Sequence, residues 1–206
     1  MEWYIYAFGA AIFSAIAAVI NKKILNYEHA LEFVASRNII LLIITCSLIP
    51  YVNFSLSWWA YLSIFFVSIL VSAGSLYYMK SIRHGEISSV TPIMNISPLF
   101  LVILSFLILR EIPTPKQYFG VFLLILGMYS LEVGITNKGF IEPIKVFFKS
   151  KVIHKMIFAM VIFSVTATLD KLIIKDFMNW QTYAFFGVFF RAILLTSLES
   201  YQHGFK

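Results

Sequence analysis

Few side chains in this sequence could do chemistry, and their spacing argues against catalysis. His29, His84, His154 and His203 fall in loops or at the ends of apolar runs, far apart along the chain. There is no H-x-x-x-H pattern, no paired carboxylates inside an apolar run and no glycine-rich phosphate loop. An enzyme needs converging acids, bases or metal ligands, so no enzymatic activity, metal or cofactor is expected. The single cysteine, Cys46, excludes a disulfide framework and reads as a small core residue.

The informative groups are polar residues placed where they are expensive. Arg37 lies six residues into an apolar run, about 9 Å at 1.5 Å per residue, and Arg191 lies near the middle of a short one. Arginine at the centre of a membrane helix costs roughly 2.5–3.5 kcal/mol. Each either faces a polar cavity, where it attracts an anionic group or orders the bundle, or snorkels to the nearer interface. Asn95, Ser97 and Pro98 fall near the centre of a run that opens with Gly85-Glu86-Ile87-Ser88-Ser89-Val90-Thr91-Pro92. Pro92 and Pro98 each remove a backbone donor and free carbonyls upstream. Such backbone is tolerated at depth where it is buried in protein or lines a water-filled cavity; a simple kink satisfied by Ser or Thr is the alternative. Ser72 and Ser75 share a helix face that Tyr78 continues at i+3. The candidate substrate cavity is therefore Ser72, Ser75, Tyr78, Asn95, Ser97, Arg37 and Arg191, with Pro92 and Pro98 as helix breaks. For each serine the competing reading is a hydroxyl bonded to a carbonyl of its own helix. Asp170 adjoins Lys171 and is expected to pair with it.

The elements that must carry these groups are membrane helices. The 206 residues are 60% hydrophobic and 13% charged, with a mean hydropathy of +0.86, against about a quarter charged in soluble domains. Apolar runs occur at Tyr4–Leu25, Leu31–Val52, Trp58–Met79, Val90–Leu109, Tyr118–Ile135, Met156–Ile174 and Tyr183–Leu198. At about 20 residues per crossing they predict seven transmembrane helices, an all-α polytopic bundle with no room for a soluble catalytic domain. No cation precedes the first run, which exceeds a signal-peptide core and is expected to remain as an anchor. Trp3, Tyr4, Trp58, Trp59, Tyr77, Tyr78, Trp180 and Tyr183 mark span ends, as interfacial aromatics do.

The net charge of +6 reads as membrane-surface charge rather than a nucleic-acid footprint, since Lys138, Lys145, Lys149, Lys151 and Lys155 crowd one loop. With seven spans, one side collects Lys22, Lys23, Lys80, Arg83, those five lysines and Lys206. The other holds Arg110, Lys116, Lys171 and Lys175. The positive-inside rule then places the lysine-rich loop in the cytoplasm and the N-terminus outside. Pro143 and the shared face of Ile144, Phe147, Phe148 and Val152 fit an interfacial helix over Phe140–Lys155, or an ordinary basic linker.

Self-comparison finds a repeat. Ile12-Phe13-Ser14 recurs as Ile162-Phe163-Ser164, and Asn21-Lys22 has a counterpart in Asp170-Lys171. Arg37 with Ile39, Ile40, Leu41 and Leu42 recurs as Arg191 with Ile193, Leu194 and Leu195. Five spans separate the starts of the copies, and five is odd, so the copies cross the bilayer in opposite directions. Inverted repeats characterise secondary transporters, whose substrate sites lie near the midplane between the halves. Chance similarity of apolar helices competes with this reading; the paired arginines count against it.

The stretch from Gly85 to Leu131, GEISSVTPIMNISPLFLVILSFLILREIPTPKQYFGVFLLILGMYSL, resembles the fourth and fifth helices of the EamA family of the drug/metabolite transporter superfamily. It has the proline-containing entry, Pro98-Leu99-Phe100, a helix closing on Glu111, a short turn, Gln117, and Gly120 and Gly127 on the next helix. Arg37 matches the family's second-helix arginine, Arg191 its repeat, and Ser14 to Lys23 the end of the first helix. The resemblance covers about residues 3–134 as a five-helix unit and 156–198 as the start of a second. It therefore implies a domain at 1–135, a basic linker at 136–155 and a partial repeat at 156–206. Ten helices in two halves are the family pattern, so a truncated or frameshifted frame is expected. A deliberate fragment, or a chain whose cavity a homodimer mate or second chain completes, are the alternatives. Gly120 and Gly127 share one face, where small side chains let helices approach.

A small multidrug-resistance-type exporter would look to a glutamate in the first helix, and Tyr4–Leu25 has none. The sequence therefore points to a multi-pass protein of the cell membrane that carries or exports a small polar metabolite by alternating access. Its partners would be lipid and an unidentified small molecule. A truncated non-transporting remnant or a membrane interaction subunit shares every local feature of that reading. Tags inserted after Asn26 and after Lys175 should report opposite compartments in a protease-protection assay; the same compartment for both would remove the inverted repeat.

Overall fold

Apolar runs that sit in lipid must satisfy their backbone groups internally, which a helix does segment by segment. In a computed structural model, residues 3–86, 93–94, 97–110, 112–136 and 150–203 are described, and every regular element among them is helical. We number the helices α1 (Trp3–Leu25), α2 (Ala30–Thr45, running on as a 3-10 segment over Cys46–Tyr51), α3 (Trp58–His84), α4 (Ser97–Leu104, continued by π-type turns over Ser105–Leu109), α5 (Pro115–Thr136), α6 (Lys151–Asp176) and α7 (Trp180–His203). The protein is an all-α membrane bundle. Tyr4–Leu25, Ala30–Tyr51, Trp58–His84, Lys151–Asp176 and Trp180–Gln202 are each long and apolar enough to cross a bilayer, and Ser97–Leu109 is a shorter apolar helix.

Local chemistry sets the helix starts. Ser57 accepts from the Ala60 N–H at the start of α3, and Ser150 from the Ile153 N–H at the start of α6, each at 3.4 Å. Because Ser150 caps α6, that helix begins at Lys151 rather than at Met156. Lys151 and Lys155 thus belong to its first turns and not to the linker. Lys138, Lys145, Lys149 and the expected interfacial helix up to Lys149 lie outside the described residues, as does Glu111. Gln117 folds back onto the start of α5, its Oε1 accepting from the Thr114 N–H at 2.7 Å.

The bundle is built on α3, which packs most extensively on α6 and also against α7 and α2; α2 leans on α7, and α4 on α6. Gly74 permits a close approach of α3 to α6. A Cβ there would fall 2.9 Å from Phe163 Cε1 and 3.0 Å from Ile162 Cγ2. The expected close approach at Gly120 and Gly127 is not made among the described residues, none of which lies within 4 Å of a Cβ built at either. Cys46, expected in the core, is exposed at the start of the 3-10 segment.

Hydrogen bonds between helix ends fix the direction of each crossing. The Lys22 Nζ donates to the carbonyls of Ile82, Arg83 and Gly85 at 2.7, 3.1 and 2.7 Å, and the Ser81 hydroxyl to the Val152 carbonyl at 3.1 Å. At the other end, the Asn53 N–H donates to Thr182 Oγ1 at 2.9 Å and the Asn179 amide to the Tyr51 carbonyl at 3.1 Å. The end of α1 therefore shares a level with the start of α6, and the end of α2 with the start of α7. Each pair of matching segments runs in opposite senses.

Overpacking at a tight contact costs about 1–3 kcal/mol. Gly74→Ala should lower the midpoint of unfolding in detergent accordingly, whereas Gly9→Ala, with nothing within 4 Å, should leave it unchanged.

Candidate functional site

The core of the bundle is layered along its long axis. Towards the Lys22 end, Val34, Met79, Met156, Met160 and Leu195 belong to one buried apolar cluster; towards the other, Ile64, Val67, Ile173 and Phe186 form a second. The stretches of α3, α6 and α7 between these clusters carry Ser68, Ser72, Ser75, Ser164, Thr166, Thr168, Asp170 and Arg191. The polar side chains of the bundle thus collect at mid-depth.

A cavity of about 300 Å³ opens within this layer. Arg37 and Asn38 of α2, Ser75 of α3, Thr166 and Asp170 of α6 and Arg191 of α7 give it polar walls. Phe163, Thr166, Ala167 and Asp170 line it at i, i+3, i+4 and i+7, one face of α6. Arg191 is half-buried at the centre of its helix, and its guanidinium lies back over Gly187, where a Cβ would come within 3.4 Å of Nη1. Asp170, Tyr183 and Arg37 are all within electrostatic reach of Arg191. The Tyr183 hydroxyl crosses the α6–α7 turn and donates to the Asp170 carboxylate. Asn38 is buried, its amide donating to the Val34 carbonyl at 2.8 Å. Arg37 is exposed and also borders a second cleft of about 540 Å³ with Asn21, Glu28 and Glu32.

Of the residues expected at the site, Arg37, Ser75 and Arg191 come together. Ser72 does not line the cavity; it is buried and bonds within its own helix, to the Ser68 carbonyl at 2.7 Å. Tyr78 turns towards the apolar cluster at the Lys22 end, its hydroxyl 3.3 Å from the Met94 sulfur and its ring edge-on to Phe163. Ser97 engages through its backbone, its carbonyl accepting from the Ser164 hydroxyl at 3.2 Å. Pro98 lies in α4. Its helix packs against α6. Asn95 and Pro92 lie outside the described residues. Asn38, Thr166, Asp170 and Tyr183 were missed. For Asp170 and Tyr183 the signal was present: an acid six residues before a helix end and a tyrosine three residues after the next start face each other across a short turn.

Two guanidiniums, one carboxylate already bonded to a tyrosine, and several hydroxyls can hold a small polar group and favour an anion. Among the described residues no cluster of three or more His, Cys, Asp or Glu could hold a metal ion. The family model described as the EamA-like transporter family matches residues 1–132. The chain belongs to this family. Its first five helices are thus those of an EamA-like protein, and the cavity lies where they meet α6 and α7. The chain is also similar to an uncharacterized protein of Methanocaldococcus jannaschii, at 36% identity over 66 residues, covering 32% of this chain and 48% of that protein. The chain thus spans about half the length of the curated relative it matches. No solved structure matches it.

A hydrogen bond to a charged group contributes about 1.5–3 kcal/mol. Tyr183→Phe should therefore destabilise the bundle by about that amount in detergent unfolding. Tyr61→Phe, which removes a neutral bond to the Phe54 carbonyl at 2.6 Å, should cost no more than about 1.5 kcal/mol.

Proposed function

We propose that this membrane protein is a carrier that moves a small polar metabolite by alternating access. The anionic group of the metabolite would be held between Arg191 and Arg37. The observation that carries this reading is the meeting of both arginines at one mid-depth cavity with Ser75 and Asp170. Substrate sites of carriers built from inverted repeats lie at this level, at the interface of the repeats. Arg37 and Arg191 are the matched residues of the two copies, and their helices run in opposite senses. On this reading Asp170, held by Tyr183, balances one of the two guanidiniums when the site is empty, and the remaining positive charge selects an anion. The site acts by binding and release, not by catalysis. The protein resides in the cell membrane with its lysine-rich end in the cytoplasm, where the positive-inside rule puts it.

A second reading, a non-transporting remnant or a membrane interaction subunit, is favoured by one feature. Among the residues of α1 whose burial is described only Leu25 is buried, although its matching helix α6 is extensively covered. A homodimer mate or second chain completing the cavity would reconcile the two.

Cells expressing the chain, its Arg191→Gln variant or an empty vector can be compared by mass spectrometry of cytosol and medium. The native chain should shift a small set of anionic polar metabolites. Arg191→Gln, at equal membrane abundance, should reduce that shift about tenfold or more, the loss expected for a hydrogen bond to a charged partner. Identical profiles for native chain and empty vector would reject the carrier.

A further inference from the structure

A second polar site lies at the Lys22 end, apart from the mid-depth cavity. It is an open cleft of about 530 Å³ bounded by the start of α2, the end of α3, the first turns of α6 and the end of α7. Lys80 and Arg83 enter from α3 and Lys155 from α6, with His29, His84 and Gln202 beside them, and no carboxylate lines the cleft among the described residues. Three cations gathered without an acid repel one another unless an anion lies between them. Leu31, Leu76 and Leu198 make the remaining wall apolar, and Leu198 is 39% exposed.

Part of this site is held in place before any ligand arrives. The Arg83 guanidinium lies 2.7 Å from His29 Nδ1, and the Arg83 carbonyl accepts from Lys22 at 3.1 Å. Lys80 and Lys155, by contrast, make no side-chain hydrogen bond or ion pair among the described residues. One cation is therefore fixed and two are left to close on a ligand.

We propose that this cleft binds the phosphate of an anionic phospholipid headgroup, with the acyl chain lying along Leu76 and Leu198. Free phosphate shares the headgroup's chemistry. The apolar wall and the position at the end of a membrane bundle select the lipid, since basic pockets between transmembrane helices recognise anionic headgroups. Lys22, Lys23 and Lys151 flank the same end of the bundle and add to its attraction for an anionic leaflet. This inference does not rest on the carrier reading, and a chain that moves nothing would bind the lipid equally well.

Native mass spectrometry of the full chain in neutral detergent tests it. Phosphatidylglycerol and phosphatidylcholine of identical acyl chains would be titrated separately, with inorganic phosphate as competitor. One phosphatidylglycerol should be retained, bound about tenfold or more tighter than phosphatidylcholine. Each cation near an anionic surface contributes about fivefold, so Lys80→Gln with Lys155→Gln should weaken phosphatidylglycerol binding about 25-fold. Lys116→Gln with Lys175→Gln, at the far end, should leave it unchanged. If the double variant fails to fold, Lys155→Gln alone should show the single fivefold loss. Equal binding of the two lipids, native affinity in the Lys80 and Lys155 variants, or displacement of the lipid by inorganic phosphate at matching concentration would each overturn the proposal.

Discussion

The fit of α3 against α6 at Gly74 governs where the polar residues of this bundle can go. In lipid no water is released when apolar helices meet, so association depends on close van der Waals fit and on hydrogen bonds between helices. With no side chain at Gly74, the Phe163 ring lies against the backbone of α3. That contact sets the rotation of both helices. It turns Ser75, the next residue on α3, and the Phe163–Thr166–Asp170 face of α6 towards the same cavity. Two turns before Ser75 on α3, Ser68 donates to the Gly187 carbonyl at 3.3 Å, which draws α7 in and carries Arg191 to the same level. One missing side chain and one serine thus position a guanidinium, a carboxylate and a hydroxyl that are distant in sequence.

The two ends of the bundle are fastened by different chemistry. The last carbonyls of a helix have no partner within it, and at the end of α3 Lys22 of α1 supplies donors for three of them. A charged donor is the stronger choice for such groups, and it also places a cation at the negative end of the helix dipole. The opposite end uses neutral bonds from Asn53 to Thr182 and from Asn179 to Tyr51. Between these seams the two apolar clusters close the polar layer from above and below.

Composition and periodicity made the helices legible in the sequence, because a residue that spans lipid has few alternatives to helix. Depth was legible too, for Arg37 and Arg191, because arginine in an apolar run is costly wherever it points. Rotation about each helix was not. Ser72 and Ser75 are equally polar and near neighbours, yet one bonds to Ser68 and the other lines the cavity. Asp170 was read against its neighbour Lys171, but residues one apart on a helix diverge by about 100° and do not face each other. The partner the structure supplies is Tyr183, which had been assigned to the membrane interface because it stands near a span end. A tyrosine there can equally reach back across a tight helical turn, and a carboxylate at the right distance decides between the two.

The contrast between α1 and α6 shows how far burial is set by neighbours rather than by the helix itself. Both carry the Ile-Phe-Ser segment, and both carry a polar residue followed by lysine nearer their ends, Asn21-Lys22 and Asp170-Lys171. Ser164 in α6 is buried, bonded to the Met160 and Ser97 carbonyls, while most of α1 is exposed. The difference is that α3 and α4 both pack on α6, whereas among the described residues α1 makes a limited contact with α3 and α2. In water such an apolar surface would drive aggregation, whereas in lipid it carries no penalty, because acyl chains solvate it as well as leucine would. Asn21 and Arg37 are the polar exceptions on that side, and they share their cleft with Glu28 and Glu32. Lipid cannot satisfy those groups as it satisfies Ile16 or Phe13. Water reaching in from the Lys22 end, or polar side chains of another helix, must do so, and the demand is strongest at Arg37, the residue that also borders the mid-depth cavity.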